Sequence, residues 1–203
     1  MPSGETASAT LVGTDNSLDL AVLKVEDEFA DQLTPVAIGE TDLLKVGSTV
    51  VAIGNPGGEV LANTVTQGIV SALERSGVSA RNSSRTINYI QHDAAINSGN
   101  SGGGLFNYKG ELVGINTLKY GGSAYSTVSF EGLGFAIPIE TAYPIAQQLI
   151  QYGKVLRPAL GVMVSNYSGP AEPVAGYAPA SICVQSVTEN GPAEEAGMKQ
   201  YDF

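Results

Sequence analysis

The stretch Ile96-Asn97-Ser98-Gly99-Asn100-Ser101-Gly102-Gly103-Gly104-Leu105-Phe106 sets Ser101 among four glycines. Ordering glycine costs more backbone entropy than ordering any other residue, so a cluster of them implies tight or left-handed geometry close to something that must approach. A bound phosphate and an attacked carbonyl are the two natural partners for such a turn. A phosphate loop reads G-x-x-x-x-G-K-[ST] and runs from a strand into a helix. Here no lysine follows the glycines, and the chain continues through Leu105-Phe106-Asn107, a turn at Tyr108-Lys109-Gly110 and another strand. Both the cation and the helix dipole of a phosphate site are missing. A nucleophile elbow also demands a strand-to-helix turn, so its loose match at Gly99 to Gly103 fails on context. Acyl transfer on a β framework remains. A serine nucleophile needs a base and preorganised N–H donors, and glycines before Ser101 let the Gly99 and Ser101 N–H groups converge. Glycines after it leave room for a substrate strand.

The surrounding chain reads as all-β up to about residue 140. Short β-branched runs recur at Ala9–Val12, Leu20–Val25, Ser48–Ile53, Asn63–Leu73, Thr86–Gln91, Glu111–Thr117 and Gly134–Ile137, each bounded by Gly, Pro, Asn or Asp. Without alternating amphipathic helices, an antiparallel barrel or sandwich is expected. Two polar stretches, 74–85 and 121–132, read as long functional loops. One helix follows, with Thr141 as N-cap, an apolar stripe of Ile145, Ala146, Leu149 and Ile150, Pro144 in its first turn and Gly153 as stop. After the linker Lys154–Pro158 comes a second unit: strand Leu160–Val164, a Pro/Gly-rich loop, strand Ile182–Val187 and a short helix over Pro192–Ala196.

Composition narrows the function. Of 203 residues 43% are hydrophobic and 15% charged, which is core-forming material, not a disordered tail. A net charge of -10 with only ten Lys and Arg argues against a nucleic-acid partner. The single cysteine, Cys183, lies in the apolar run Ser181–Val184 and reads as a small buried hydrophobe. No Cys/His cluster has metal spacing, so neither a metal nor another cofactor is expected. The chain opens and closes abruptly and reads as a piece cut at both ends.

Gly99-Asn100-Ser101-Gly102-Gly103, with Gly114-Ile115-Asn116-Thr117 downstream, resembles the trypsin-like serine proteases of the HtrA/Deg family. So do Leu11–Asp15, Asp19–Lys24, Ala52–Pro56, Val65–Ser71, Asp93–Asn97 and Gly134–Pro138, in that order. The resemblance implies a double antiparallel β-barrel, its first barrel incomplete, over 1–153, then a linker and the first half of a PDZ domain over 154–203. It implies Ser101 as nucleophile, Asp19 as the carboxylate orienting the base, and the Gly99 and Ser101 N–H groups as oxyanion hole. Leu160, Gly161 and Val162 then fall at a PDZ peptide-carboxylate loop. A regulatory loop is implied at 74–85 and a specificity loop at 118–132.

The implied activity is endopeptidase cleavage of unfolded or misfolded polypeptides, with peptide C-termini held at the PDZ loop. A trimer in the cell envelope, periplasm or extracellular space, anchored through a segment ahead of residue 1, completes the expectation. Two departures stand out: Ser98 and Gly104 replace usual prolines, and the family's catalytic histidine precedes the Asp19 segment and is not in this chain. The only histidine, His92, reads as a strand-end side chain. As given, the chain is expected to be inactive and poorly stable alone. The rival reading is a non-catalytic peptide-binding or chaperone protein that keeps the protease-like fold. Asp15 and Asp93 read as turn and hydrogen-bonding carboxylates, and Asn55–Gly58 as a plain turn.

Overall fold

The computed structural model describes residues 6–76, 87–117, 132–167 and 181–202, which form two compact units, 1–155 and 156–203. Residues 118–131 and most of 74–85 lie outside the described residues, as does the hairpin read at Pro2–Glu5.

Eight strands and one helix build the first unit. β1 (Ala9–Asp15) and β2 (Leu20–Val25) pair antiparallel as a two-stranded sheet, with a register shift between Leu11 and Gly13. β3 (Thr49–Gly54), β4 (Thr64–Arg75), β5 (Tyr89–His92), β6 (Gly104–Asn107), β7 (Leu112–Thr117) and β8 (Gly134–Pro138) close into a barrel in the order β3-β4-β5-β8-β7-β6. Every strand pair in it is antiparallel, as the β-branched runs and tight turns predict.

Strand alternation separates two cores. Val50, Ala52, Val70, Ile90, Leu105, Val113 and Ala136 point into the barrel. The intervening residues Tyr89, Phe135 and Ile137 point outward and are covered by Leu18, Ile139 and Ala142. Tyr89 and Phe135 meet edge-to-face, ring centroids 6.4 Å apart. Leu105, wholly buried directly behind the serine turn, tests this arrangement. Leu105→Ala is expected to cost about 2–5 kcal/mol and lower the melting midpoint by roughly 4–20 °C by circular dichroism. An unchanged midpoint would mean that the barrel interior is not packed as described.

Helix α1 runs Ile139–Tyr152 with Pro138 as N-cap, three residues earlier than the Thr141 cap predicts. The chain enters it directly from β8, and the Glu140 carboxylate accepts hydrogen bonds from the Thr41 N–H and hydroxyl. Pro144 therefore sits inside the helix, where it removes one i→i−4 bond on an exposed face. Ile139, Ala142 and Leu149 form the buried stripe, whereas Ile150 is exposed. Gly153 ends the helix in the left-handed conformation, as expected.

In the second unit β9 (Val162–Tyr167) pairs antiparallel with β10 (Ser181–Val187), and α2 (Pro192–Glu195) begins with proline at its first position. β9 starts two residues later than predicted because Leu160 and Gly161 serve the turns instead. Their carbonyls accept the N–H groups of Ala193 and Thr188. Cys183 is buried, as its apolar run implies.

Candidate active site

Ser101 lies in the connection from β5 to β6, and it is exposed while its neighbour Asn100 is buried. Asn100 is the anchor: its N–H reaches the Asn97 carbonyl, its Nδ2 the Ala95 carbonyl, and its own carbonyl accepts the Gly103 N–H. Its Oδ1 is buried without a partner among the described residues and lies where a side chain on Gly54 would stand, 2.6 Å away. One side of the turn is thus sunk into the barrel wall and the serine is carried outward.

Both flanks are pinned by backbone. On the entering side the Gly99 carbonyl accepts the Asn55 N–H and the Ser98 carbonyl accepts the Gly57 N–H, both at 3.2 Å. The Asn55 side chain in turn accepts the Asn63 N–H at 2.8 Å. The Asn55–Gly58 turn, read from sequence as plain, is therefore a clamp on the residue before Asn100. On the leaving side Asn116 makes three bonds: its carbonyl accepts from Gly102, its N–H donates to Gly103, and its Nδ2 donates to Gly104. A spacing of fifteen residues between Ser101 and a strand asparagine carries no signal of this without the barrel register.

The glycines now have individual reasons. Gly99 has φ +105°, and a Cβ there would lie 2.2 Å from the Asn55 carbonyl oxygen. Gly103 abuts the Ile53 carbonyl, 2.1 Å from an added Cβ, so its smallness serves packing of the turn on β3, not space for a substrate. Among the described residues no backbone carbonyl accepts the Gly99 N–H. An open cleft of about 870 Å³ borders it, lined by Pro56, Gly57, Leu61, Thr64, Asn97 and Ser98 among others.

Asp19 occupies the β1–β2 turn in the left-handed region, φ +57°. Leu18 beside it is buried in the outer core, and the Asp19 charge together with burial raises the Tyr89 phenol above its usual pKa. The turn is thereby docked on the outer face of the barrel. Asp15 caps the same turn, accepting from the Ser17 N–H and hydroxyl, and Asp93 accepts the Ile69 N–H at 2.6 Å. His92 ends β5, as the sequence reading has it, and has no solvent exposure, so its ring belongs to the core. Among the described residues no group of acidic, His and Cys side chains could hold a metal ion.

A family model for a trypsin-like peptidase domain matches residues 1–115. The chain belongs to that family. Its HtrA/Deg character follows from relatives that align across nearly all of it. It is 41% identical over 98% of its length to Serine protease Do-like HtrB of Bacillus subtilis (strain 168), covering 44% of that protein. It is 40% identical over its whole length to the periplasmic serine endoprotease DegP of Escherichia coli (strain K12), covering 40% of it. The solved HtrA-type protease AlgW with decapeptide superposes with a TM-score of 0.75 at 39% identity, over 98% of this chain and 57% of that one. The chain thus spans less than half the length of these two curated HtrA/Deg relatives.

Proposed function

We propose that the chain is the Ser101-bearing part of a serine endopeptidase of HtrA/Deg type that degrades unfolded or misfolded polypeptides. The observation carrying this is an exposed serine on a turn whose two flanks are held by backbone bonds and whose preceding residue, Asn100, is buried. Such a turn supplies preorganisation, the main source of stabilisation for a developing oxyanion. Ser101 attacks the peptide carbonyl, the Gly99 and Ser101 N–H groups receive the negative charge, and water later hydrolyses the acyl-enzyme. Asp19 orients the base. That base lies outside these 203 residues, because the one histidine present is sealed in the barrel. The chain by itself is therefore inactive. The cleft beside Gly99 has room for an extended substrate chain.

Residues 1–153 form the protease part in this reading, and 154–203 the first half of a PDZ domain that takes peptide C-termini by strand addition at Leu160, Gly161 and Val162. Gly161, at φ +77°, gives the turn that such a loop needs. A trimer and a membrane anchor in an upstream segment belong to the same proposal, as does a location in the cell envelope or periplasm, which alone of the three is supported by relatives named as periplasmic endoproteases.

The burial of His92 favours one competing reading, a peptide-binding protein that keeps the fold without turnover. Fluorophosphonate labelling separates the two. The chain alone is expected not to label, and a form extended upstream through its histidine-bearing strands is expected to label at Ser101. A folded extended form that stays unlabelled would establish the binding protein. Labelling of the short chain would instead make His92 the base.

A further inference from the structure

His92 is the chain's single histidine, and the proposed chemistry does not use it. It pairs with Val70 of β4 and Gly134 of β8 and is wholly buried. Its ring lies against the Gly134 backbone so closely that a Cβ there would stand 2.3 Å from Cε1 and 2.7 Å from Nδ1. The ring has no room to slide on that side. The Asn116 carboxamide and the Ala94 carbonyl flank it. Neither approach completes a hydrogen bond, so Nδ1, Nε2 and the Asn116 Oδ1 are all buried without a partner among the described residues.

These two neighbours belong to opposite limbs of the serine turn. Ala94 precedes Ala95, whose carbonyl holds the Asn100 side chain on the entering limb. Asn116 holds Gly102, Gly103 and Gly104 on the leaving limb. We propose that His92 is a positioning residue for Ser101, acting through Asn116 and Ala94, and that the turn is in register only while the ring is neutral. This rests on Ser101 being the nucleophile. A neutral imidazole offers one N–H and one lone pair, so it satisfies one acceptor at a time. A protonated ring offers two N–H groups and draws the Oδ1 and the Ala94 carbonyl inward together, pulling on both limbs.

Among the described residues Asp93 is the ionised group acting on the ring, while β4, β7 and β8 face it with Val70, Asn116 and Gly134, all uncharged. Burial holds the imidazole below its ordinary value of 6.5, against smaller opposing effects of Asn116, Asp93 and Ala94. The unfolded chain then takes up a proton before the folded one does. The stability contributed by neutral His92 is therefore full above about pH 6.5 and is lost as pH falls through the lower folded value.

The test follows the rate of fluorophosphonate labelling of Ser101 against pH in the upstream-extended protein. The triad base gives one ionisation on the acid side, so a second from His92 makes the limb steeper, with a slope of about two. His92→Gln cannot titrate, and its limb is expected to fall to a slope of about one. His92→Leu, which offers no polar atom to Asn116, is expected to label about tenfold more slowly at pH 8, where the ring is neutral in the parent. A slope of one in the parent, or an unchanged slope in His92→Gln, overturns the proposal. Should the variants misfold, ring and amide NMR of the parent decides it. The Gly102, Gly103 and Gly104 amides must shift with the His92 midpoint, and their indifference overturns the proposal. Absence of labelling at any pH would mean that the nucleophile reading has failed, a result the NMR arm does not depend on.

Discussion

Ser101→Ala in the upstream-extended protein is expected to abolish fluorophosphonate labelling and to lower polypeptide hydrolysis by about a million-fold. Its unfolding free energy is expected to stay within about 0.5 kcal/mol of the parent. The contrast follows from how the turn is built. Ser101 is exposed, and the bonds that shape its surroundings run through Asn97, Asn100, Gly102, Gly103 and Asn116. Removing the hydroxyl takes away the nucleophile and leaves the scaffold. The proposed oxyanion donors and any substrate-binding surface survive, so residual acceleration over water is expected. Activity readout is cleavage of denatured casein, and stability readout is denaturant unfolding. Full hydrolysis by the alanine variant would remove Ser101 from the chemistry altogether.

How much of this was open to sequence reading depended on the range over which each feature is determined. β2 falls on the predicted residues, and β3, β4, β7 and β8 fall within two residues of them, because β-branched runs and Gly or Pro boundaries are local signals. An antiparallel barrel or sandwich followed from the absence of intervening helices, and the closure from β6 to β3 that makes it a barrel is the step that local pattern does not encode. The helix start was misplaced because β8 runs into α1 without a loop, so Thr141 marks no boundary. Its stripe was misjudged at Ile150 because which side of an amphipathic helix is buried depends on the partner sheet.

At the site the same division holds. Ser101 and its glycines announce themselves by composition. The clamps do not. Asn55 and Asn116 are distant in sequence from Ser101, and only the β3–β6 and β6–β7 registers bring them to it. His92 does end β5, as read, but its enclosure is likewise a long-range feature. A polar residue at the end of a strand is ordinarily at the surface, yet here β4 continues past it from Val70 towards Thr64, and the Gly134 backbone at the start of β8 lies against the ring. Buried polar side chains of this kind are costly unless paired, at about 1–3 kcal/mol for each unsatisfied group. Four such atoms occur among the described residues, two on His92 and one each on Asn100 and Asn116.

Gly99→Ala is expected to slow Ser101 labelling by about a hundred- to a thousandfold, the loss associated with one oxyanion donor. Two separate penalties fall on this residue. At φ +105° any Cβ is strained, at about 1–3 kcal/mol. The Cβ would also stand 2.2 Å from the Asn55 carbonyl oxygen, a backbone atom fixed by the Gly58 N–H that it accepts. The chain must then swing Gly99 away from Asn55, break the Asn55 N–H to Gly99 carbonyl bond, and re-aim the Gly99 N–H. Gly102→Ala separates conformational strain from displacement. Gly102 has φ +85° and nothing within 4 Å of an added Cβ, so it carries the first penalty without the second. Its variant is expected to lose about 1–2 kcal/mol of stability and to label within about tenfold of the parent, because its N–H bond to Asn116 can persist. The decisive comparison is between the two labelling rates at matched stability. If Gly99→Ala labels as fast as Gly102→Ala, the Gly99 N–H plays no part in stabilising the oxyanion. If it is slower by two orders of magnitude or more, the clamp from Asn55 is what aims that N–H at the carbonyl under attack.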